Sequence, residues 1–540
     1  MMTLRQYVVG LALCGLACFP ATADTINVPA DQPTIAAAIA VAVAGDVIEI
    51  GPGTYYEHSL DTVGKAILIR GAVDLDGLPA TTIDATGGGP VFDFRSGEDD
   101  QTGIENLRLT GGTGRYFGFS ESYNGGGVVC ADQSSPTITN CIFEGNSGGN
   151  GGGLFSLNSS PRVESCTFIS NTADQQGGGI YIQTGVPTFN NCIIHDNTAT
   201  FGGGVFAALS DAGSSFSNCS IRNNTSQSNG GGMLAIQSDL AINQCTIRYN
   251  SSSWGGGIYF QLMDNLVISD CDISYNVAGF GAGILGYYGV FTLEDSDVLR
   301  NQAESTAGGI GFVDVVDATI SGTTIQENKA VSQYGGAIYM EGTALSVLEG
   351  IVVGNTAGNT GGGLALAGTG NTVLLGDATA VCGNSPNQIV GLGTQTGNDT
   401  CISEACEACG LFVDEDGQPL DYDQDGLPDY ADPDDDNDGV DDADDEYPMN
   451  SSESVDSDGD GIGDNLDNYL SNYPHGACCV GTGCTNSTEE ACAELGGTWT
   501  LAGSCEDCTG TCPADINGDG VVDAQDLTEV LAAWQEPCGV

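Results

Sequence analysis

The sequence predicts a mainly β chain whose body, residues 24–400, is a right-handed parallel β-helix, followed by an acidic stalk and a small disulfide-rich end. Two repeating columns and one repeating turn predict it. Asn residues that follow a short apolar strand stand at positions 146, 171, 197, 224, 250, 276, 301, 328 and 355, in steps of 25 to 27 residues. Three positions earlier lies an apolar column: Phe143, Phe168, Ile194, Ile221, Ile247, Ile273, Val298, Ile325 and Val352. Five or six positions after the Asn comes a glycine triplet and an aliphatic residue, as in Gly177-Gly178-Gly179-Ile180. A fixed period of this length is the mark of a solenoid, in which each unit buries its apolar face only against its neighbours.

Within one repeat the apolar positions alternate with polar ones. Eight before the Asn sit Ile138, Val163, Phe189, Phe216, Ile242, Ile268, Leu293, Ile320 and Val347, and five before sit Cys141, Cys166, Cys192, Cys219, Cys245 and Cys271. Period-two alternation is a strand with one buried face. No helical period appears in a unit of this size, so short strands joined by turns remain. Gly permits positive φ and close backbone approach, and Asn tolerates the left-handed turn conformation and can hydrogen-bond up a column. Stacked at about 4.8 Å, nine coils make a rod of roughly 43 Å. Its N-terminal cap is the apolar, helix-like segment 34–44 after Pro33, with 46–50 and 66–69 starting the sheet.

The cysteine column has two readings, a ladder of disulfides or a file of stacked thiols acting as small hydrophobes. In-register neighbours keep their Cβ atoms near 4.8 Å apart, whereas a disulfide wants about 3.8 Å, which favours thiols. A line of sulfurs is also no tetrahedron for zinc.

Composition narrows the function. The chain has 540 residues, 82 of them Gly, and a formal net charge of −61 from 11 Lys+Arg and 72 Asp+Glu. Such a surface repels nucleic acid and anionic membranes and suits cations. Residues 1–23 read as a signal peptide: Arg5, an apolar run from Val8 to Phe19, and Ala21-Thr22-Ala23 as cleavage site. The run is too short to span a bilayer, and no later segment looks transmembrane. The expected place is outside the cell, free or attached to its surface, where many of the 19 remaining cysteines can pair.

The segment Val28-Pro29-Ala30-Asp31-Gln32-Pro33-Thr34-Ile35, with Gly45-Asp46 and Gly51-Pro52-Gly53-Thr54-Tyr55, resembles the start of pectate-lyase-like β-helix proteins. The repeat also resembles polymorphic outer-membrane adhesins, whose F-x-x-N appears as Phe143-Glu144-Gly145-Asn146 and whose G-G-A-I appears as Gly335-Gly336-Ala337-Ile338. Such motifs determine fold more than chemistry. The first resemblance implies polysaccharide binding, with cleavage by a lyase or hydrolase as an open question, and a Lys or Arg base beside acidic calcium ligands. The second implies a non-enzymatic adhesin or surface-structural protein.

Basic residues are scarce, so their columns matter. Two before the Asn lie His195, Arg222 and Arg248; one before lie Asp196, Tyr249, Tyr275 and Arg300. All face outward in this register. They can form a groove for an acidic glycan, with Arg222 or Arg248 as base and His195 or Asp196 beside it, or an ordinary solvated face with ion pairs. A second stripe follows the glycine triplets: Phe155, Tyr181, Phe206, Leu234, Tyr259, Leu285 and Tyr339. If exposed, Tyr181, Phe206 and Tyr259, like Tyr249 and Tyr275, are surfaces on which sugar rings stack or another surface docks; the other readings are packing under loops or an inverted assignment of inside and outside.

Residues 411–470 hold 23 Asp+Glu and no Lys or Arg. The pattern D-x-D-x-D-G occurs at Asp421, Asp423, Asp425, at Asp434, Asp436, Asp438 and at Asp456, Asp458, Asp460. It sets alternate oxygens around one Ca2+, with Gly allowing the turn; the alternative is a disordered acidic linker. The stretch resembles thrombospondin type 3 calcium repeats. Residues 476–511 begin a cysteine-rich module; with the end of the chain it holds eight cysteines, an even count that reads as a disulfide framework. Residues 512–540 carry an EF-hand-like loop, with Asp515, Asn517, Asp519, Asp523 and Asp526 as Ca2+ ligands and Gly520 at its turn. This end resembles half of a type I dockerin, which implies an anchoring protein as partner.

Overall fold

The computed structural model describes residues 23–409 apart from 76, 118–122, 377, 392–393 and 397–399, together with 436–440, 451–452, 454–455 and the strands Gly476–Val480, Gly483–Ser487 and Thr498–Thr500. The signal peptide reading lies outside these residues, as does nearly all of 411–470. The chain divides into two units, Met1–Val413 and Asp414–Val540.

The first unit is a parallel β-solenoid. Its second sheet, made of the strands just before the Asn column, has 14 strands, one per coil. A third sheet of nine strands follows the Asn, and a first sheet of 24 strands takes one strand from each of the first three coils and two successive segments from each later one, such as Ile180–Gln183 and Thr188–Asn190. In three coils these two run on as one strand, Ile258–Ser269, Ile284–Glu294 and Ile310–Ser321. The inward columns are in register from coil to coil: Phe143 pairs with Phe168, Phe168 with Ile194, Ile194 with Ile221. Likewise Ile138 pairs with Val163, Val163 with Phe189 and Phe189 with Phe216. Phenylalanines stack inside, with ring centroids 4.3 Å apart for Phe143–Phe168 and 4.6 Å for Phe189–Phe216. Each side chain so buried contributes about 1.5–3 kcal/mol.

The Asn residues form one file. Each Nδ2 donates to the Oδ1 of the next: Asn171 to Asn197 at 3.0 Å, Asn197 to Asn224 at 3.0 Å, Asn224 to Asn250 at 3.1 Å. The backbone N–H of each Asn donates to that same oxygen, and the second Nδ2 hydrogen reaches a carbonyl of the preceding coil, Phe143 for Asn171 at 2.8 Å. All the polar capacity of a fully buried amide is thus used. Gly112 N–H starts the file on Asn146, and Asn384 with Gln388 ends it. The left-handed conformation expected of the Asn belongs instead to the residue before it: Ser170, Asp196, Asn223, Tyr249, Tyr275, Arg300 and Glu327 all have φ near +55°. The file Asn residues themselves are not among the residues of positive φ.

The glycine triplets answer to backbone crowding as much as to φ. Gly177 has φ +67°, but a Cβ on Gly178 would stand 2.4 Å from Gly203 O and 2.6 Å from Thr198 O. That is the corner where the third sheet turns into the first and successive coils touch.

The column cysteines are buried free thiols. Their sulfurs do the work of hydroxyls: Cys219 N–H donates to Cys245 Sγ at 3.4 Å, Cys245 N–H to Cys271 Sγ at 3.3 Å, and Cys271 N–H to Ser296 Oγ at 3.0 Å. Two disulfides fasten the last coils instead, Cys382–Cys406 and Cys401–Cys409. At the other end the helix Ile35–Val41 buries Ile35, Ala38 and Ile39. Thr34 Oγ1 accepts from Ala37 N–H, and the Glu57 carboxylate accepts from Ile35 and Ala36 N–H. The sheet starts earlier than expected, at Thr25–Val28, which pairs with Val47–Ile50.

In the second unit the described strands Gly476–Val480, Gly483–Ser487 and Thr498–Thr500 form an antiparallel sheet that sets Cys479 opposite Cys484.

Candidate functional site

The second sheet presents its outward side chains in files, because the strands pair without slip. His195 pairs with Arg222 and Arg222 with Arg248, and beyond them Arg248 pairs with Ser274. In the next file Thr246 pairs with Asp272 and Asp272 with Asp297. The left-handed turn adds Asp196, Tyr249, Tyr275 and Arg300 at the edge. A left-handed residue at each turn swings its side chain out beside the strand, so sequence neighbours such as His195 and Asp196 share one patch.

His195, Asp196, Arg222, Arg248, Tyr249 and Tyr275 therefore stand along one edge of the second sheet. His195 Nδ1 lies 2.7 Å from Asp196 Oδ2. Arg248 donates through Nε and Nη2 to Asp272 Oδ2, at 3.2 and 2.5 Å. Tyr249 and Tyr275 stack with centroids 5.1 Å apart, and the Arg300 guanidinium stands 5.8 Å from the Tyr275 ring centre while donating to its hydroxyl at 2.7 Å. Arg300 also donates to Glu327 at 2.6 Å. Asp272, Asp297 and Ser274 were not among the expected site residues; counting four positions back from Asn276 and Asn301 finds the two aspartates, and two back from Asn276 finds Ser274.

The patch is polar and only partly withdrawn from water: Asp196 and Asp297 are exposed, and the arginines and tyrosines half-buried. His195 is 3% exposed, Ser274 1% and Ser220 8%, although all three sit on the outward side of the sheet. His195 Nε2, Ser220 Oγ, Ser274 Oγ and Asp272 Oδ1 are buried atoms with no hydrogen-bond partner among the described residues. Atoms of this kind cost free energy unless a water or ligand meets them. The hydrogen bond from His195 holds Asp196 below the usual carboxylate range, against some burial and with help from the charges of His195 and Arg222. Burial pushes the Tyr275 hydroxyl up. Desolvation works against the Arg300 charge, yet Glu327 and Tyr275 hold it above its ordinary value. Partial desolvation first, then the charge of Asp272, raises Asp297.

The second stripe is differently placed. Tyr181 and Tyr259 are 7% exposed and Phe206 3%. With Phe155, Leu234 and Leu285 they make a second apolar cluster against Phe201, Phe280, Ile236 and Tyr287. Tyr181, Phe206 and Tyr259 do point away from the main core, but they fill the outer corner between the first and third sheets and are not an exposed platform. The stripe is packed, in a corner between sheets rather than under loops.

Among the proposed Ca2+ ligands, Asp436 and Asp438 are described. Asp436 Oδ1 accepts from Asp438 N–H at 3.1 Å and Asp438 Oδ1 from Val440 N–H at 2.8 Å, with Gly439 at φ +96°. Both Oδ1 atoms thus serve backbone N–H groups of the turn, and no group of three or more His, Cys, Asp or Glu side chains converges among the described residues. Asp421, Asp423, Asp425, Asp434, Asp456, Asp458, Asp460, Asp515, Asn517, Asp519, Asp523 and Asp526 lie outside the described residues. No described helix is long and apolar enough to cross a membrane.

No curated protein matches the sequence. Fifteen solved chains are similar to this one, three of them as follows. The A-module of mannuronan C-5 epimerase AlgE6 from Azotobacter vinelandii is 14% identical, over 68% of this chain and 92% of that one, with a TM-score of 0.34. The AlgE4 A-module from the same organism is 13% identical, over 65% and 90%, with a TM-score of 0.30. A mannuronic acid specific polysaccharide family 6 lyase from human gut microbiota is 12% identical, over 73% and 86%, with a TM-score of 0.32. A family model described as the right handed beta helix region matches residues 126–296, the stretch that holds the Asn file from Asn146 to Asn276.

Proposed function

We propose that the chain is an extracellular binding protein for an acidic polysaccharide, which it grips on the outer face of the second sheet. One observation carries this reading. In a chain of net charge −61, every Lys or Arg between residues 163 and 328 stands on that face: Arg222, Arg248 and Arg300. A glycan carboxylate meets guanidinium groups there, and its ring meets the stacked Tyr249 and Tyr275. Arg248 and Arg300 are held by Asp272 and Glu327, which orients cations for binding and makes them poor proton acceptors. The test is affinity electrophoresis in gels containing pectate or alginate. Retardation that falls on Arg222→Ala plus Arg248→Ala and with added salt supports the proposal; a mobility indifferent to both sinks it.

A second reading, cleavage of the same glycan, draws on the His195–Asp196 pair, in which the carboxylate orients the ring and leaves Nε2 without a protein partner. Its test is the ultraviolet absorbance of unsaturated products from pectate or alginate with Ca2+; no product from any acidic glycan leaves binding alone. In both readings residues 411–470 act as a Ca2+-bound stalk, and 512–540 as a dockerin-like anchor for a partner protein. Calorimetric titration with Ca2+ tests the stalk: no heat beyond that of dilution would refute it.

A further inference from the structure

The outer corner between the third and first sheets carries a ledge of aromatic rings. Strand pairing sets Asn229, Trp254, Phe280 and Thr306 in one file at the end of the third sheet. Across the glycine turn Tyr259, Leu285, Gly311 and Tyr339 form the next file, and Gln261, Tyr287, Val313 and Glu341 the third. The floor is the buried cluster already described. Above it Trp254 is 42% exposed and Tyr334 39%, with Phe280, Tyr287 and Tyr339 partly open. The rings lean on one another: Trp254 on Phe280 at 5.4 Å, Phe280 edge-on to Tyr339 at 5.7 Å, Tyr259 on Tyr287 at 5.8 Å.

From these contacts we infer that the ledge is a second glycan site, selective for uncharged sugar rings and separate from the arginine face. Size excludes a stable protein partner: the rings span four coils, roughly 15 Å at the coil spacing, whereas a protein interface needs about 800 Å² a side. Charge excludes an acidic ligand, since none of these three files holds a Lys or Arg and Glu341 is their charged member. What remains matches a neutral pyranose. Aromatic faces meet its C–H faces, and the amide and acid edges of Asn229, Gln261 and Glu341 accept or donate to its hydroxyls. The rings are held by mutual contact before any ligand arrives, so little side-chain entropy is lost on binding.

The experiment is affinity electrophoresis of the full chain in gels holding galactomannan, xyloglucan or hydroxyethylcellulose. The expected result is retardation in at least one gel, weakened about tenfold or more by Trp254→Ala, the scale of a central aromatic anchor, and left intact by Arg248→Ala. Trp254→Phe keeps the ledge packed if the alanine variant misfolds; in that variant the tryptophan emission shift caused by saturating glycan must vanish, although Trp499 and Trp534 remain. Passage through all three gels without retardation overturns the inference. So does binding that survives Trp254→Ala, or binding lost with Arg248→Ala, which would assign the neutral glycan to the arginine face.

Discussion

Replacing Asn224 by Ala removes one rung from the middle of the file, and its cost can be worked through bond by bond. Asn224 Oδ1 accepts from Asn197 N–H and from Asn197 Nδ2, both at 3.0 Å, and its own Nδ2 donates to Ile194 O at 2.7 Å and Asn250 Oδ1 at 3.1 Å. The alanine keeps the backbone N–H bond to Asn250. Asn197 Nδ2 also keeps a partner, Phe168 O. Asn197 N–H keeps none, and it is fully buried. One orphaned buried donor costs about 1–3 kcal/mol, and each of the remaining lost bonds about 0.5–1.5 kcal/mol. With three such bonds lost besides the orphan, the sum is about 2.5–7.5 kcal/mol, felt first in the coils on either side because each coil touches only its neighbours. Hydrogen exchange read by mass spectrometry should show lost protection in residues 190–255, spreading less toward the ends. Asn223→Gly is the control: Asn223 is exposed and left-handed at φ +54°, where Gly is at ease. If Asn224→Ala costs under about 0.5 kcal/mol, or no more than Asn223→Gly, the file is ornamental and the reasoning fails.

Other outcomes follow from the same geometry. Gly203→Ala puts a Cβ 2.5 Å from Thr225 O and 2.6 Å from Gly231 O, so the variant should fail to accumulate as folded protein, checked by soluble yield and circular dichroism. Cys245→Ser should cost no more than about 1 kcal/mol, because the Ser296 hydroxyl already accepts the equivalent bond from Cys271 N–H, while Cys245→Ala strands the Cys219 N–H at about 1–3 kcal/mol. The hydrogen bond with Cys219, then burial, push the Cys245 thiol up to about 12, so native protein at pH 8 should leave this sulfur unlabelled by a thiol reagent until denatured. Asp196 is held low by His195, so that pairing stabilises the fold above the usual carboxylate range and is lost as pH falls through the lowered value. His195→Gln should move the Asp196 carboxyl upward in an NMR titration, and an unmoved titration would remove His195 as the cause.

The solenoid was legible because its physics repeats. Phe168, Asn171 and Cys166 occupy offsets that recur in coil after coil, and a period repeated that often leaves one architecture. What the period cannot say is whether an outward side chain meets water. Tyr181 alternates out of its strand and Tyr249 follows its strand at the left-handed turn, so both point away from the core, yet the first lies in the angle between two sheets and the second at an open edge. That difference depends on how sheets meet, which a single strand does not encode. Trp254 and Phe280 escape sequence reading for the same reason, since they stand at the rim of that angle in a file mixed with Asn229 and Thr306. The end disulfides Cys382–Cys406 and Cys401–Cys409 lie where the repeat fades, and column arithmetic has nothing to count there.

Every amide in the buried asparagine file faces the same way, so the individual dipoles add rather than cancel. The rod has an electrical polarity along its length, set by side chains and independent of any helix. Each carbonyl polarised by the two N–H groups behind it becomes a stronger partner for them as the file lengthens, so a long stack resists fraying better than a short one. The two ends need different plugs, a bare backbone N–H at Gly112 and a glutamine side chain at Gln388, because one end begs a donor and the other an acceptor.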